Sequence, residues 1–527
     1  MAVPRSAFRA PRSILVLLVT AGAAAGCRRA PASRLFELLA PEQTGVTFAN
    51  RLPEDTAFNI LNYLYYYNGG GVAVGDVNND GLPDLYFTAN RGPNRLYLNK
   101  GNYRFEDVTE RAGVADAEGW KTGVTMADVN GDGRVDIYVS GVDYLGMHGH
   151  NVLYINNGDG TFTDRTKQDG LDFDGYSTQA LFFDYDGDGD LDMYLLNHST
   201  FTERAISAST SRTVRNQRAG DRLYRNDSGH FTDVSEHAHI YGGVEGFGLG
   251  VVASDLNGDG CPDLYVANDF QENDFLYYNN CDGTFTESIA TATGHTSRFS
   301  MGVDAADFNN DGYKDLFVTN GIYRRPNDLD YISYVGNEAV QATLGTTITV
   351  ANLALIQRMP QVPLANYAFR NNGDLTFANM AAAWGLDQPG FSNGAAYVDL
   401  NNSGALDLVL NNVNAPAAIY RNRAREVTGN AYLTVLLRGV GANTAGIGAK
   451  VLIKEGGDRT QLLEQMPTRG FLSSVDPRLH FGLGPGPAKP IDSLIVIWPD
   501  RRYQVLTAVA VNRTLTLSQQ DAAGRYD

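Results

Sequence analysis

The stretch Val74–Tyr86, VGDVNNDGLPDLY, places three carboxylates and two amides within nine residues, between two apolar segments. The chain repeats this pattern five more times, at residues 123–139, 180–196, 251–266, 302–318 and 394–410. Each copy follows a run rich in Val, Ala and Phe and precedes an alternating apolar run, so each predicts a tight turn between two β-strands. Six copies indicate a repeat architecture, because a single site needs only one copy.

A second hairpin follows the acidic turn in the first five copies, at residues 94–109, 151–166, 221–235, 274–288 and 366–380. Four antiparallel strands per repeat predict the blade of a β-propeller. The sixth copy stops at residues 417–422, and the strand it lacks is predicted in FELLAPEQTGVTF (36–48). Pairing the first strand with the last would close the ring and leave no free sheet edge.

Composition divides the 527-residue chain into three parts. Residues 1–26 carry three arginines before a short apolar run and resemble a lipoprotein signal peptide, with Cys27 as the residue that would be lipidated. Residues 27–425 form the predicted propeller, with insertions at 198–220 and 321–365. Residues 426–520 hold further predicted strands without an acidic turn and indicate a small β-sandwich-like domain.

The acidic turns have the composition of calcium-binding loops. Oxygen donors stand at positions 1, 3 and 5, a backbone carbonyl at 7 and a carboxylate at 9, with Gly at 6, which suits a hard cation with six to eight oxygen ligands. Magnesium would demand strict octahedral geometry, and zinc would demand His or Cys. The alternative is a metal-free Asx turn, in which the side chains cap backbone amides.

The predicted ligands are Asp76, Asn78, Asp80, Leu82 and Asp84 in loop one; Asp128, Asn130, Asp132, Arg134 and Asp136 in loop two; Asp184, Asp186, Asp188, Asp190 and Asp192 in loop three; Asp255, Asn257, Asp259, Cys261 and Asp263 in loop four; Asp307, Asn309, Asp311, Tyr313 and Asp315 in loop five; and Asp399, Asn401 and Asp407 in loop six. Loop three has five acids and is expected to bind most tightly. Loop six has Ser403 in place of the fifth-position acid, which leaves its occupancy open. We therefore expect about five or six structural calcium ions.

Three further features leave alternatives open. Cys261 and Cys281 fall on adjacent predicted strands of one blade, and an exported chain permits a disulfide between them. The arginines of the insertion 198–220 are either paired with neighbouring loops or form a contact patch for an anionic partner. The run NYLYYYNGG (62–70) either stacks on a ligand or forms the buried start of the first blade.

The acidic turns and the LYxN…GxF pieces that follow them resemble FG-GAP/VCBS repeats, as in integrin α-chain propellers and many bacterial surface proteins. Gly446–Val451 (GIGAKV), FLSSVDPRLHFGLG (471–484) and DSLIVIWPD (492–500) resemble the ASPIC/UnbV domain. Together they are similar to the cartilage acidic protein family and its bacterial relatives. The resemblance implies an FG-GAP-type propeller of seven blades, although six repeats can be counted, with calcium ions in a structural role.

The net charge of −18 and the absence of a strongly basic segment argue against nucleic acid as a partner. No H-E-x-x-H or P-loop motif is present, and we expect no enzyme activity. The sequence predicts an exported binding or adhesion module at the bacterial cell envelope. The ligand would be a glycan or an envelope protein, and the only membrane contact would be an N-terminal lipid anchor. An outer-membrane lipoprotein, a periplasmic protein and a cell-surface protein all fit. The alternatives are a polysaccharide lyase or hydrolase on the same scaffold, and an assembly partner of an envelope complex.

Overall fold

The computed structural model describes the chain from Arg34 to Arg525, apart from residues 201–211, 213, 245, 270–271, 295–302, 338–339, 341–348, 458 and 487–488. The predicted signal peptide and Cys27 lie outside the described residues. In the described part of the chain, no helix is both long and apolar enough to cross a membrane.

Six four-stranded antiparallel sheets form the blades. Blade one is β2 (Val72–Gly75), β3 (Asp84–Phe87), β4 (Arg95–Asn99) and β5 (Phe105–Asp107). Blade two is β6 (Trp120–Ala127), β7 (Asp136–Val142), β8 (Val152–Asn156) and β9 (Phe162–Asp164). Blade three is β10 (Ser177–Phe183), β11 (Asp192–Asn197), β12 (Arg222–Asp227) and β13 (His230–Asp233). Blade four is β14 (Gly248–Ser254), β15 (Asp263–Asn268), β16 (Phe275–Asn279) and β17 (Phe285–Glu287). Blade five is β18 (Asp304–Ala306), β19 (Asp315–Val318), β20 (Tyr367–Asn371) and β21 (Phe377–Asn379).

Blade six joins the two ends of the propeller. Its strands are β1 (Phe36–Leu39), β22 (Ser392–Val398), β23 (Asp407–Asn412) and β24 (Ala418–Asn422). Strand β1 pairs antiparallel with β24, from Phe36 opposite Asn422 to Leu39 opposite Ile419. The predicted ring closure is therefore confirmed, and it hides the edge that β24 would otherwise expose.

The expectation of seven blades is wrong for the described residues, which contain six four-stranded sheets of this kind. Where the structure describes them, the two longest spacings between repeats contain no degenerate blade. Their extra residues lie in the connections β11–β12 and β19–β20, and the second of these includes helices Leu329–Val335 and Val350–Gln357. The other described helices are Pro41–Thr44, Thr109–Ala112, Ile289–Ala292, Ala381–Trp384, Ala424–Val427 and the 3₁₀ helix Gln519–Asp521.

Blade five joins blade four less closely than the other blades join their neighbours. Leu256, in the loop of blade four, is 55% exposed, whereas the equivalent Val77 of blade one is buried. Phe377 is 46% exposed, whereas Phe285 at the same position of blade four is buried. Apolar surface that is buried between other neighbouring blades therefore remains exposed to solvent between blades four and five.

The C-terminal domain packs two sheets around a core of its own. Its strands are β25 (Ala431–Arg438), β26 (Lys450–Lys454), β27 (Thr460–Glu464), β28 (Leu479–Gly484), β29 (Ile491–Ile497), β30 (Arg502–Val509), β31 (Arg513–Ser518) and β32 (Gly524–Arg525). One sheet has the order β28-β25-β31 and the other β27-β26-β29-β30-β32. Buried residues from both sheets, among them Leu433, Val451 and Trp498, meet in one cluster.

A segment of the C-terminal domain, Phe471–Val475, runs through the centre of the propeller. Ser474 exchanges backbone bonds with the inner strand of blade one, donating to Val72 O and accepting from Val74 N, both at 3.1 Å. The side chain of Gln179 in blade three donates to Ser473 O at 2.7 Å. Every residue of the segment is buried. The two domains are therefore joined through the axis of the ring.

The tyrosine-rich run also lies in the core. Tyr63, Tyr65, Tyr66 and Tyr67 are buried in a cluster that includes Trp120, Ile356 and Phe471. The same cluster includes Tyr331 and Met359 of the second insertion, and the structure supports the interpretation of the run as a buried segment.

Candidate metal-binding loops

Each acidic loop joins the first and second strands of a blade, so all six lie at one end of the propeller. In loop one, Asp76 accepts the backbone N–H of Asp80 on Oδ1 at 3.0 Å and that of Gly81 on Oδ2 at 2.8 Å. Asn78 Oδ1 accepts from Asp80 N at 3.1 Å, and Asp80 Oδ1 accepts from Leu82 N at 2.9 Å. Gly81 has φ +86°, a conformation that side chains rarely adopt. The oxygens are thus drawn towards the inside of one tight turn.

The same bond from the sixth-position glycine to the first aspartate recurs in every other loop. The donor–acceptor pairs are Gly133–Asp128, Gly189–Asp184, Gly260–Asp255, Gly312–Asp307 and Gly404–Asp399. The seventh-position residues likewise donate their backbone N–H to the fifth-position carboxylate, in the pairs Arg134–Asp132, Asp190–Asp188, Cys261–Asp259 and Tyr313–Asp311. An Asx turn accounts for each of these bonds taken singly, but it does not require the three or more acids that loops one to five contain.

The ninth-position aspartate ties the loop to the body of its blade. Asp84 accepts from Val77 N on Oδ2 at 3.0 Å and from Asn99 N on Oδ1 at 2.8 Å. The equivalent acceptors are Asp136, Asp192, Asp263, Asp315 and Asp407, each with one bond from its own loop and one from the third strand. Each oxygen of such a carboxylate keeps a further lone pair for another partner, except Asp407 Oδ1, which also accepts from the Tyr103 hydroxyl at 3.2 Å.

Loop three brings its acids closest together. Oxygens of Asp184, Asp186 and Asp188 lie within 4.8 Å of one another. The fifth acid, Asp190, turns outward, and its Oδ2 accepts from Ser228 N in the next hairpin at 2.8 Å. The carboxylate of Asp190 is therefore not part of the cluster, and its predicted role rests on its backbone carbonyl.

Burial and mutual repulsion make negative charge costly in the loops. Desolvation raises the pKa of Asp84, Asp136, Asp184 and Asp315 to about 7, and the neighbouring carboxylates of the same loop add to the shift. Desolvation raises the pKa of Asp192 to about 9. A divalent cation placed among these groups would offset both costs.

Loop four is the exception. Burial alone would raise the pKa of Asp255, but the Lys450 ammonium of the C-terminal domain and the amides of Gly258 and Gly260 bring it below its usual value. The Lys450 Nζ lies 2.7 Å from Asp255 Oδ2. A cation is therefore already bound to the first ligand of this loop.

The C-terminal domain also touches loops two, five and six. Thr444 Oγ1 donates to Asp128 Oδ2 at 2.6 Å in loop two. Arg459 Nη2 donates to Asp311 O at 2.6 Å in loop five, and Arg478 Nη2 donates to Asp399 O at 3.0 Å in loop six. In loop six, the Ser403 hydroxyl donates to Asp399 Oδ1 at 3.3 Å, so this neutral residue fills the fifth position inside the turn. The loop end of the propeller is thus covered by the second domain.

Sequence reasoning missed the asparagine that ends the third strand of each blade. Asn156 Nδ2 donates to Val135 O of its own loop and to Val77 O of the preceding loop. The same link from one blade to the loop before it is made by Asn99 to Leu400, Asn226 to Val129, Asn279 to Tyr185 and Asn422 to Phe308. The repeated LYxN motif was the signal that could have revealed this role.

Cys261 and Cys281 form a disulfide in the structure, with a Cα–Cα distance of 5.8 Å. It joins loop four to the next hairpin turn of the same blade.

The described arginines of the first insertion, and Arg222 at the start of β12 just after it, are paired with neighbouring groups. Arg212 pairs with Glu272 at 2.5 Å, Arg218 with Asp143 and Arg222 with Asp233. Arg215 donates to the carbonyls of Asp221 and Ile240. For these four, the structure supports pairing with local groups over a free cationic patch; Arg204 lies outside the described residues.

Family models match both parts of the chain. The family described as FG-GAP-like repeat matches residues 76–139, 142–195, 211–266 and 255–318, and the family described as ASPIC and UnbV matches residues 439–524. Cartilage acidic protein 1 of Xenopus tropicalis is 25% identical over 494 residues, covering 85% of this chain and 72% of the frog protein. The chain is a homologue of cartilage acidic protein 1. The human protein of the same name is 24% identical to this chain over an alignment that covers 82% of the chain and 68% of the human protein.

Solved structures align only loosely with this chain. A mutant Tc holotoxin pore of Photorhabdus luminescens aligns with a TM-score of 0.31 and 14% identity, covering 85% of this chain and 20% of that one. The V. cholerae biofilm matrix protein Bap1 aligns with a TM-score of 0.24 and 12% identity, covering 88% and 71%.

Proposed function

We propose that the loops bind calcium and that the ions stabilise the propeller. The observation that carries this proposal is the convergence of Asp184, Asp186 and Asp188, whose oxygens lie within 4.8 Å of one another. Such a cluster is unfavourable without a cation, and its oxygen donors suit calcium better than zinc. The flexible Asp and Asn side chains also suit calcium better than magnesium, which keeps its waters and needs octahedral geometry.

The calcium would act on most of the ring because five of the six loops are bonded to the next blade. The ion would hold the loop, the loop carbonyl would hold the asparagine of the following blade, and the ninth carboxylate would hold the third strand. Since calcium would bind this folded arrangement and not the unfolded chain, each ion would add stability by mass action, about 2.7 kcal/mol at a hundredfold excess over its dissociation constant.

Thermal unfolding tests this proposal. We expect chelation to lower the melting temperature steeply, calcium to restore it, and the same concentration of magnesium to restore little of it. Equal melting temperatures with and without chelator would contradict the proposal.

We further propose that the protein is a non-enzymatic, exported binding or adhesion module of the cell envelope, with a glycan or an envelope protein as its ligand. The C-terminal domain covers the loop end, so the opposite end, where the second strand of each blade connects to the third, is left for a ligand. Large apolar side chains are exposed in the segments at that end: Leu61, Leu64, Leu145, Ile322, Leu329 and Ile332. Exposed apolar residues that share one region of a protein support a binding role.

A screen of glycans and envelope proteins in calcium-containing buffer tests this second proposal. We expect retention of a ligand without chemical change to it. The charge change Leu329→Asp together with Ile332→Asp should abolish retention and leave the melting temperature unchanged. Cleavage of a retained glycan, or retention that survives this double change, would contradict the proposal.

A further inference from the structure

Lys450 reaches from the C-terminal domain into loop four. It stands on β26, and its Nζ lies 2.7 Å from Asp255 Oδ2, which also accepts from Gly260 N at 3.0 Å. Asp255 Oδ1 accepts from Gly258 N at 2.7 Å. A carboxylate oxygen has about two lone-pair sites, so both sites of Asp255 Oδ2 are taken.

Loop two makes the matching contact with a neutral group. Thr444 Oγ1 donates to Asp128 Oδ2 at 2.6 Å, and the same oxygen accepts from Gly133 N at 2.7 Å. The contacts on the first-position aspartates therefore differ in charge and not in number; the cation of loop two, Arg134, pairs instead with the fifth-position Asp132. Among the ion pairs between described residues, Lys450–Asp255 is the one in which a side-chain cation binds a first-position loop carboxylate.

The position of Lys450 is fixed on several sides. Strand β26 lies between β27 and β29, and Lys450 pairs across the sheet with Glu464. Glu464 Oε2 accepts from Ser254 Oγ at 2.5 Å, directly before loop four. Arg501 donates to the carbonyl of Asp259 from the other side of the loop. The lysine is therefore held in the domain interface, with an acid and a hydroxyl ordered beside it.

Loop four borders a cavity through which an ion could reach it. A cavity of about 240 Å³ lies between this loop, loop three and the C-terminal domain, and Asp255, Asp259 and Lys450 are among its lining residues. An ion entering from this cavity would meet an ammonium already bound to its first ligand. Like charges at this separation repel strongly in a partly buried site.

We infer that Lys450 supplies at loop four the positive charge that calcium supplies at the other loops, so that loop four holds no calcium while the C-terminal domain is docked. The inference rests on the proposed binding of calcium by the other loops. Docking of the C-terminal domain and calcium binding at loop four then compete for Asp255.

Counting ions by native mass spectrometry, with calorimetric titration, tests this inference. The first arm uses the fifth-position change in two loops that the C-terminal domain contacts: Asp132→Asn in loop two and Asp259→Asn in loop four. We expect Asp132→Asn to lose one ion and Asp259→Asn to lose none. Loss of one ion from both variants would overturn the inference and leave the proposed calcium binding intact.

The second arm changes the contacting residues. We expect Lys450→Met to bind one ion more than the unchanged protein, and the double variant Lys450→Met/Asp259→Asn to return to the original count. Thr444→Val, the matched change at loop two, should gain none. An unchanged count in Lys450→Met would overturn the inference, whereas an unchanged protein with no calcium at all would overturn the proposed function and this inference together.

Discussion

The side-chain amide of Asn156 in blade two donates to the carbonyl oxygen of Val77 in loop one at 2.8 Å, and so joins one blade to the loop of the blade before it. A second bond from the same amide reaches Val135 O at 3.1 Å. Changing Asn156 to Ala would leave both carbonyls without this donor. We expect a loss of roughly 3 kcal/mol in the free energy of unfolding, measured by denaturation in calcium.

Changes at two other asparagines serve as controls for Asn156→Ala. Asn371 holds the equivalent position in blade five, but its described amide bond reaches only Lys314 O at 3.2 Å, so Asn371→Ala should cost less than half as much. Exposed Asn157, which bonds Thr161 Oγ1, should cost almost nothing. Equal losses at Asn156 and Asn371 would show that the link between blades contributes little.

Loop three should give the tightest step of a calcium titration, because three of its carboxylates converge. We expect Asp186→Asn to weaken that step about tenfold or more, since removing one of several charges around a divalent ion costs well over 1 kcal/mol. Asp190→Asn is the control, because the Asp190 carboxylate bonds Ser228 N and not the cluster. A tightest step that Asp186→Asn leaves unchanged would assign it to another loop.

The central segment of the C-terminal domain packs closely against Gly71 of the propeller, and we expect no larger residue to be tolerated at that position. A Cβ on Gly71 would lie 1.7 Å from the carbonyl oxygen of Leu472. We expect Gly71→Ala to destabilise both domains together by more than about 2 kcal/mol, because backbone must move on one side of the contact. Gly456→Ala, where a Cβ would meet nothing within 4 Å, is the matched control. Two separate unfolding transitions in Gly71→Ala, with the stability of the propeller unchanged, would contradict the conclusion that the two domains are joined through the axis of the ring.

The repeats, the loop positions and the strand that closes the ring could be predicted because a short local sequence pattern specifies each of them. The docking of Lys450 on Asp255 and of Ser474 on Val74 could not, because these partners are hundreds of residues apart and have no shared periodicity. The number of blades was taken from resemblance, and the structure corrects it. The role of Asn156 was visible as a repeated letter, but its partner Val77 lies in another repeat.

His198 should make the protein less stable in acid. Burial lowers the pKa of His198 to about 3, and its ring bonds Tyr63 and Thr178. The unfolded chain takes up this proton near pH 6.5, so it binds more protons than the folded protein, and stability falls as the pH falls from about 6.5 to 3. The slope from this group is roughly 1.4 kcal/mol per pH unit. We expect His198→Gln to remove it.

The control for this pH dependence is His148→Gln, because the side chain of His148 is 84% exposed. Unfolding curves at several pH values in one calcium concentration should give the same acid slope for His148→Gln as for the unchanged protein. An equal slope in His198→Gln would show that other groups, such as His480, whose pKa burial lowers to about 4, account for the acid sensitivity.

The central claim, that the acidic loops bind calcium and stabilise the ring, is tested most directly by native mass spectrometry before and after chelation. The account predicts about five bound ions, one for each loop that lacks a lysine on its first carboxylate, and loss of the folded charge-state distribution when they are removed. No ion, or a single ion, with folding unchanged by chelation would contradict it and make the loops plain turns.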